Sequence, residues 1–338
     1  MNKKLKKKNN VTVQDIAKEV NISASTVSRA LNNHPKISQS TKEKVWEVAE
    51  KLGYFPNIPV YMQQQKSNYI IFLIDNLQQK ENHELISTAQ NILTSKGYHS
   101  FIKFVPNNLL EFDLLESMKS SDIAGIISLL NSTPKTTKIF ETITNKNIPL
   151  IKIHNSNVED FQVSILPDLY NGAYLATNHL LKQGASNIAL IIGNEDILQY
   201  SIMEDGLKSA MSESKSKFKI VKSNLNKEAL NYEFEQLVIS SVKFDGIICC
   251  NNLVTCQLYN FLNSRNISIP DETMLVSFGN ENYLNFMFTG ITTVEYSSIS
   301  MGKKAAQEII NLINNKNYDK RLLVEPTKLI IRTSSMKT

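Results

Sequence analysis

The sequence predicts a small all-α head joined to an α/β body of two doubly wound parallel-sheet lobes. Three observations predict it. The first 66 residues carry twelve lysines and arginines against five acids, a net +7, which leaves −2 on the rest of a chain whose total is +5. Between Val11 and Leu52, apolar residues recur at helical spacing in three short runs. From Tyr69 onward, short apolar runs alternate with helical stretches, and the alternation restarts after "QVSIL".

In the head, Val13, Ile16, Ala17 and Val20 make one apolar face of a first helix. Asn21 is placed to end it in the left-handed conformation. Ser23 is placed to cap a second helix that runs to about Leu31, with Val27, Ala30 and Leu31 inward. Ser25, Thr26, Ser28 and Arg29 are left outside. A third helix begins at a cap on Ser38 or Ser40, carries Val45, Val48, Ala49 and Leu52 as its stripe with Trp46 beside it, and closes at Gly53. Two short helices about a tight turn, the second rich in hydroxyls, form a helix-turn-helix pattern. Short hydroxyl side chains suit close approach to phosphates, and an arginine at the far end can reach a guanine edge bidentately. Ala24 offers a small apolar surface for a thymine methyl. The basic charge of the head agrees with a polyanionic partner.

The stretches "VTVQDIAKEVNISASTVSRALN", "ISQSTKEKVWEVAEKLGYFPN" and "ITTVEY…MGKKAAQEIINLI" resemble the lactose/galactose repressor (LacI/GalR) family. The most specific part is T-V-S-R-x-L-N after a helix and turn, followed some twenty residues on by L-G-Y-x-P-N. The resemblance extends over nearly the whole chain and is closest in residues 11–57. It implies a head over 1–56, a hinge or linker over 57–68, and a two-lobe effector-binding and dimerisation domain over 69–338. It also implies double-stranded DNA as partner. By motif match, Ala24, Ser25 and Arg29 would face bases, while Thr12, Ser23, Thr26, Ser28, Asn32 and Tyr54 would serve phosphates or positioning.

In that family the linker becomes helical on operator DNA and a leucine pair enters the minor groove, the general wedge mechanism. Asn57 suits an N-cap here, and Pro59 is tolerable in a first turn. Gln63, however, stands at the leucine position, with Met62 beside it as the remaining apolar wedge, and Val60 and Tyr61 replace small and basic residues. An amide gains little inside a base step, so the operator is expected to bend less than the family norm. Circular-permutation gel shifts check this. A strong kink that survives Met62→Ala and vanishes in Gln63→Ala would contradict it.

The body's strands are expected at "YIIFLI", "HSFIKFV", "IAGIISLL", "PLIKI" and "QVSIL", then at "NIALIIG", near 218–221, at "DGIICC" and at "MLVSF". Helices are expected between them, at 83–96, 109–119 and 135–146 in the first series and 170–183, 204–213, 227–241 and 253–264 in the second. The chain then returns through "ITTVE", a helix over 301–314 and "TKLIIRT". Sheets of this kind bind ligands beyond the carboxyl ends of their strands. The resemblance implies a fold similar to periplasmic sugar-binding proteins, with the ligand between the lobes.

Residues just after strands are therefore the candidates for an effector: Asp75, Asn76, His154, Asn194, Asn251, Asn252, Asn280 and Glu281. Asn and Asp also favour such places for turns and caps. Asn251 matches the family's N-D pair, with Asn252 for Asp. Elsewhere the match fails. Met203 stands where the family often has arginine, Gly279 where it often has aspartate, His154 for another aspartate, and "QKEN" for an N-P-F-F-like stretch. Arginine and carboxylate are the usual grips on vicinal hydroxyls, so an ordinary sugar fits the sequence less well than the family norm.

Five histidines without paired spacing, and the absence of G-x-S-x-G, Walker A, H-E-x-x-H or G-x-G-x-x-G, argue against an enzyme. No cofactor and no metal are expected. Cys249, Cys250 and Cys256 match neither zinc-pair nor C-x-x-C spacing and are expected as thiols in a reducing, cytoplasmic setting. No run of about 18 apolar residues exists to span a membrane, and the basic N-terminus lacks the apolar stretch of a secretory signal. The expected function is a dimeric, sequence-specific transcriptional repressor of an approximately palindromic operator, controlled by a sugar or sugar derivative. The alternatives are an exported solute receptor, which would not need residues 11–57, and a DNA binder with a vestigial cleft, constitutive or under a protein partner.

Overall fold

The computed structural model describes residues 12–31, 34–52, 67–75, 80–105, 123–130, 134–154, 163–194, 197–286, 290–315 and 319–337. The chain divides into two compact units, Met1–Ser67 and Asn68–Thr338. The first holds α1 (Val13–Val20), α2 (Ala24–Leu31) and α3 (Gln39–Lys51). Its core is small: Ile16, Ala17, Val27, Ala30, Leu31, Val45 and Ala49 are buried. Trp46, outside the stripe, is exposed.

The helix ends follow from local chemistry. Asp15 closes back on Thr12, accepting from its N–H at 2.8 Å and its hydroxyl at 2.7 Å. Asn21 ends α1 at φ 57°, in the left-handed region. Ser23 Oγ accepts from Thr26 N–H at 3.1 Å, and Ser38 Oγ from Thr41 N–H at 3.2 Å, so Ser38 rather than Ser40 caps α3. Asn21→Ala is expected to cost about 1 kcal/mol, because a Cβ without a polar head is strained at positive φ, whereas Asn21→Gly should not. Urea unfolding of the two variants checks this.

The second unit contains two six-stranded sheets. Lobe 1 is built from β1 (Tyr69–Ile74), α4 (Lys80–Ser95), β2 (His99–Phe104), β3 (Gly125–Ser128), α5 (Pro134–Asn145), β4 (Leu150–Ile153) and β5 (Val163–Pro167). Lobe 2 continues with α6 (Leu169–Lys182), β6 (Asn187–Gly193), α7 (Leu198–Met211), β7 (Lys217–Ser223), α8 (Lys227–Val238), β8 (Gly246–Cys249), α9 (Asn252–Ser264), β9 (Met274–Phe278) and β10 (Thr292–Tyr296). The chain then returns to lobe 1 for α10 (Ser298–Asn314) and β11 (Arg321–Glu325), and ends in lobe 2 with β12 (Thr327–Ile330). The strand orders are β11-β5-β4-β3-β1-β2 and β12-β10-β9-β8-β6-β7. Each lobe thus starts on an inner strand, steps outward once and then runs the other way, which creates a switch point at the carboxyl ends of its strands.

Most expected elements fall where the apolar runs put them. Two do not. "RLLVE" is a strand of its own, β11, parallel to β5 at the edge of lobe 1. Its Leu322 and Val324 are exposed, so no buried run announced it. β12 pairs antiparallel with β10, an exception to the all-parallel expectation. α7 begins at Leu198, ahead of the expected 204, because its first turn faces a cleft and breaks the apolar period. The helix expected at 109–119 lies outside the described residues.

Each sheet has a core on both faces. In lobe 1, Phe72, Leu85, Ile127, Ile151, Met301 and Ile309 pack on one side and Ile71, Leu73, Phe140 and Leu150 on the other. The fully buried Lys152 sits among the second set, its Nζ 4.0 Å from the Phe140 ring centre, a favourable placement of a cation on an aromatic face. In lobe 2, a Cβ on Gly206 would lie 2.2 Å from the Tyr170 carbonyl oxygen, so α6 and α7 pack backbone to backbone. Three strands of chain cross between the lobes, at Pro167–Leu169, Tyr296–Ser298 and Glu325–Thr327. Asp168 N–H donates to Glu325 O at 2.8 Å, and Thr327 Oγ1 donates to Asp168 O at 3.0 Å, so two of the crossings are bonded together. The Glu325 carboxylate accepts from Lys304 Nζ at 2.7 Å and Ser300 Oγ at 2.8 Å.

Candidate functional site

In the head, the helix period places Ser25 and Arg29 one turn apart on the exposed side of α2. Ser23 Oγ lies 2.9 Å from Ser25 Oγ and 2.8 Å from Thr26 Oγ1, so three hydroxyls cluster at the helix start. Thr26 and Ser28 are half-buried on the flank. Ala24 is half-buried against the head core, which leaves less of its methyl for a base than the sequence suggested. Thr12 is exposed, with its hydroxyl tied to Asp15. Those bonds hold the Asp15 carboxyl below the usual range. A helix start with three hydroxyls and an arginine one turn beyond can meet a phosphate backbone and a base edge together. Asn32, Tyr54, Asn57 and Met62 lie outside the described residues.

In the body, a cavity of about 480 Å³ opens at the carboxyl ends of both sheets. Lobe 1 contributes Asp75 after β1, Leu129 after β3, His154 after β4, and Glu81 and Asn82 from α4. Lobe 2 contributes Gln199, Tyr200 and Met203 from α7, Asn251 after β8, Gly279 and Glu281 after β9, and Tyr283. Tyr296, at the crossing, closes one side. Of the residues expected at the effector site, the fold therefore gathers Asp75, His154, Met203, Asn251, Asn252 and Glu281 around one space. Gln199 and the tyrosines were not anticipated, and Glu81 was met only within the "QKEN" stretch that departs from the family pattern. They come from helix turns and from a strand end.

The candidates differ in how much side chain they offer. Asn251 caps α9, its Oδ1 accepting from Val254 N–H at 2.9 Å. Asn252 is buried, and its amide donates to Ser277 Oγ, Phe278 O and Gly279 O at 3.0, 3.1 and 2.8 Å. Met203 is 2% exposed and belongs to the lobe-2 core as well as to the wall. Asn280 points away from this cavity. Arg332 donates to its Oδ1 at 2.8 Å, and its Nδ2 donates to Glu295 at 2.8 Å, so its amide serves a network behind the wall. Asn194 donates to Asn224 Oδ1 outside the wall. Asn76 lies outside the described residues.

Gly279 explains the loss of a side chain at its position. Its φ is +89°, and a Cβ there would stand 2.6 Å from the Asn252 amide and 2.9 Å from Glu81 Oε1. The carboxylate of Glu81, from lobe 1, thus reaches the backbone of lobe 2. Gln199 adds a direct bond between lobes: its Nε2 donates to His154 O at 2.7 Å.

His154 adopts φ 64° and packs edge-on against Tyr296, with ring centres 6.0 Å apart. Burial pushes its imidazole down to about 4. The ring is therefore neutral at neutral pH. In the unfolded chain it takes up a proton near 6.5, so stability is fully present above that value and is lost as pH falls toward about 4. Between pH 7 and pH 5 this amounts to about 2 kcal/mol. His154→Asn, which also tolerates positive φ, should lose less stability over that window; parallel urea titrations at the two pH values check this.

Comparison with known proteins finds a match in each part of the chain. Residues 12–57 match the bacterial regulatory proteins of the lacI family, and residues 177–335 match the periplasmic binding protein-like domain. The "Probable HTH-type transcriptional repressor ExuR" of Bacillus subtilis (strain 168) is 26% identical over 96% of this chain and 98% of its own. The ribose operon repressor of Halalkalibacterium halodurans is 24% identical over 96% and 97%. Among solved structures, the lac repressor dimer bound to operator and the anti-inducer ONPF superposes with a TM-score of 0.72 at 16% identity, covering 97% of this chain and 100% of that one. A head of this kind on a two-lobe body defines a DNA-binding regulator of transcription. Its head carries the domain of the lacI family of bacterial regulatory proteins, and along its length the chain is similar to transcriptional regulators that carry the same domain. Among the described residues, no helix is long and apolar enough to cross a membrane.

Proposed function

We propose that the chain is a cytoplasmic repressor that binds an approximately palindromic operator as a homodimer and releases or tightens it when a sugar or sugar derivative enters the interlobe cavity. The observation that carries this reading is the wall itself, which draws residues from both lobes and includes the Gln199–His154 bond between them. A ligand that touches both lobes changes their relative free energy, and linkage passes that difference to DNA binding. The volume falls within the range of small-molecule sites, which favours an occupied cleft over a vestigial one. A lacI-family regulator from Enterococcus faecium, with TM-score 0.68 and 18% identity over 80% of this chain, was solved with bound ribose, which supports the sugar class. Pairing of two chains is supported by apolar side chains on the outer strand β2, where Phe101 and Phe104 are exposed. The three cysteines are free thiols, in keeping with a reducing compartment.

The test is operator binding by the full chain, with the operator first selected from random DNA, measured with and without candidate sugars. A shift in operator affinity at saturating ligand supports the proposal. Ligand binding without any shift in DNA affinity overturns it.

A further inference from the structure

The cavity wall is unevenly charged. Asp75, Glu81 and Glu281 line it, and no lysine or arginine does among the described residues. The one imidazole, His154, is neutral at neutral pH. Each of these three acidic residues also takes part in an interaction within the protein.

The rest of the wall suits a cation as well. Tyr200, Tyr283 and Tyr296 bring aromatic rings to the wall. The Tyr283 phenol is pushed up to about 12, by burial first and then by Cys256 and the carboxylates Glu281 and Glu81. Burial and then Glu81 raise Tyr296 too. Both tyrosines therefore feel the acids that line the cavity. An anionic ligand would meet those acids with no lysine or arginine among the described wall residues to receive it. A ligand ammonium would meet carboxylates and ring faces together.

We infer that the effector carries a protonated amine, as in an amino sugar or a compact aliphatic amine, received by the Glu81 and Asp75 carboxylates beside the tyrosine faces. The inference rests on the reading that the cleft binds a small molecule. It goes beyond that reading in excluding sugar acids and sugar phosphates. Glu81 is the pivotal residue, because its Oε1 stands 2.9 Å from where a side chain at Gly279 would begin, so an ammonium bound there would bridge the two lobes.

The test is isothermal titration of the full chain with probes of three charges: glucosamine, galactosamine and putrescine as cations, glucose, galactose and N-acetylglucosamine as neutral sugars, and glucuronate and galacturonate as anions. Saturable binding of a cation is expected, at least tenfold weaker in Glu81→Gln and in Asp75→Asn, with melting temperatures of both variants measured to show that they fold. Binding of amino sugars without putrescine assigns part of the recognition to hydroxyls; binding of both assigns it to the ammonium. Binding confined to neutral or anionic sugars would overturn the inference and leave ligand control standing. Silence from all three classes would remove the cleft as a ligand site and the inference with it.

Discussion

Cut from the body, residues 1–67 are expected to bind the selected operator roughly 10²–10⁴-fold more weakly than the full chain. The head has a core of its own, so the loss would not come from unfolding of a dependent fragment. Circular dichroism of the fragment tests that assumption directly. The loss would come from geometry. One short head buries too little DNA surface for tight specific binding. Two heads held by one dimer make the second contact intramolecular, which multiplies the affinity without any new contact. The same reasoning predicts that deleting one half-site from the operator weakens the full chain by a comparable factor. Equal affinity of fragment and full chain, at equal head concentration, would sink the dimeric reading.

How far the sequence revealed this molecule depended on where its signals were local. The head was legible where a boundary has a residue suited to it: Asn21 in the left-handed region, Ser23 as a cap and Ser38, one of two candidates, as another, with Val27 and Ala30 inward. The strands of the body were legible as buried runs. β11 was not, because its exposed Leu322 and Val324 break the pattern and only pairing with β5 makes it a strand. The cavity was half legible. Asp75, His154 and Asn251 follow strands, and the parallel-sheet rule points to them. Glu81, Gln199 and Tyr283 enter the wall from helical turns whose direction only the packing of the lobes decides. Asn280 shows the converse: it follows β9 as the rule requires, yet Arg332, some fifty residues on, draws its amide behind the wall. Gly279 is the instructive case. Read alone it is a missing carboxylate, whereas in space it leaves room for the Asn252 amide and the Glu81 carboxylate.

Arg29→Ala is expected to cost about 1–3 kcal/mol on the best operator, roughly 5- to 150-fold in affinity, and to relax preference at one base pair in each half-site. Arg29 is exposed on α2, one turn beyond Ser25, while Val27, Ala30 and Leu31 fix the opposite face in the core. The helix therefore cannot rotate to hide it. Its guanidinium is the one side chain on that helix able to make two parallel bonds to a guanine edge. Ser23, Ser25 and Thr26, tied to one another at the helix start, suit phosphate contacts that orient the helix without reading sequence. With Ala24 half-buried against the core, Arg29 is expected to carry more of the discrimination. The measurement is a binding series over single-base variants of the operator for wild type and Arg29→Ala, with Arg29→Lys added because an ammonium keeps the charge and loses the fork. Selective flattening at one position in both variants supports base recognition. Uniform weakening on every sequence, with Arg29→Lys restoring it, would place Arg29 on the phosphates and leave Ser25 as the residue to test next.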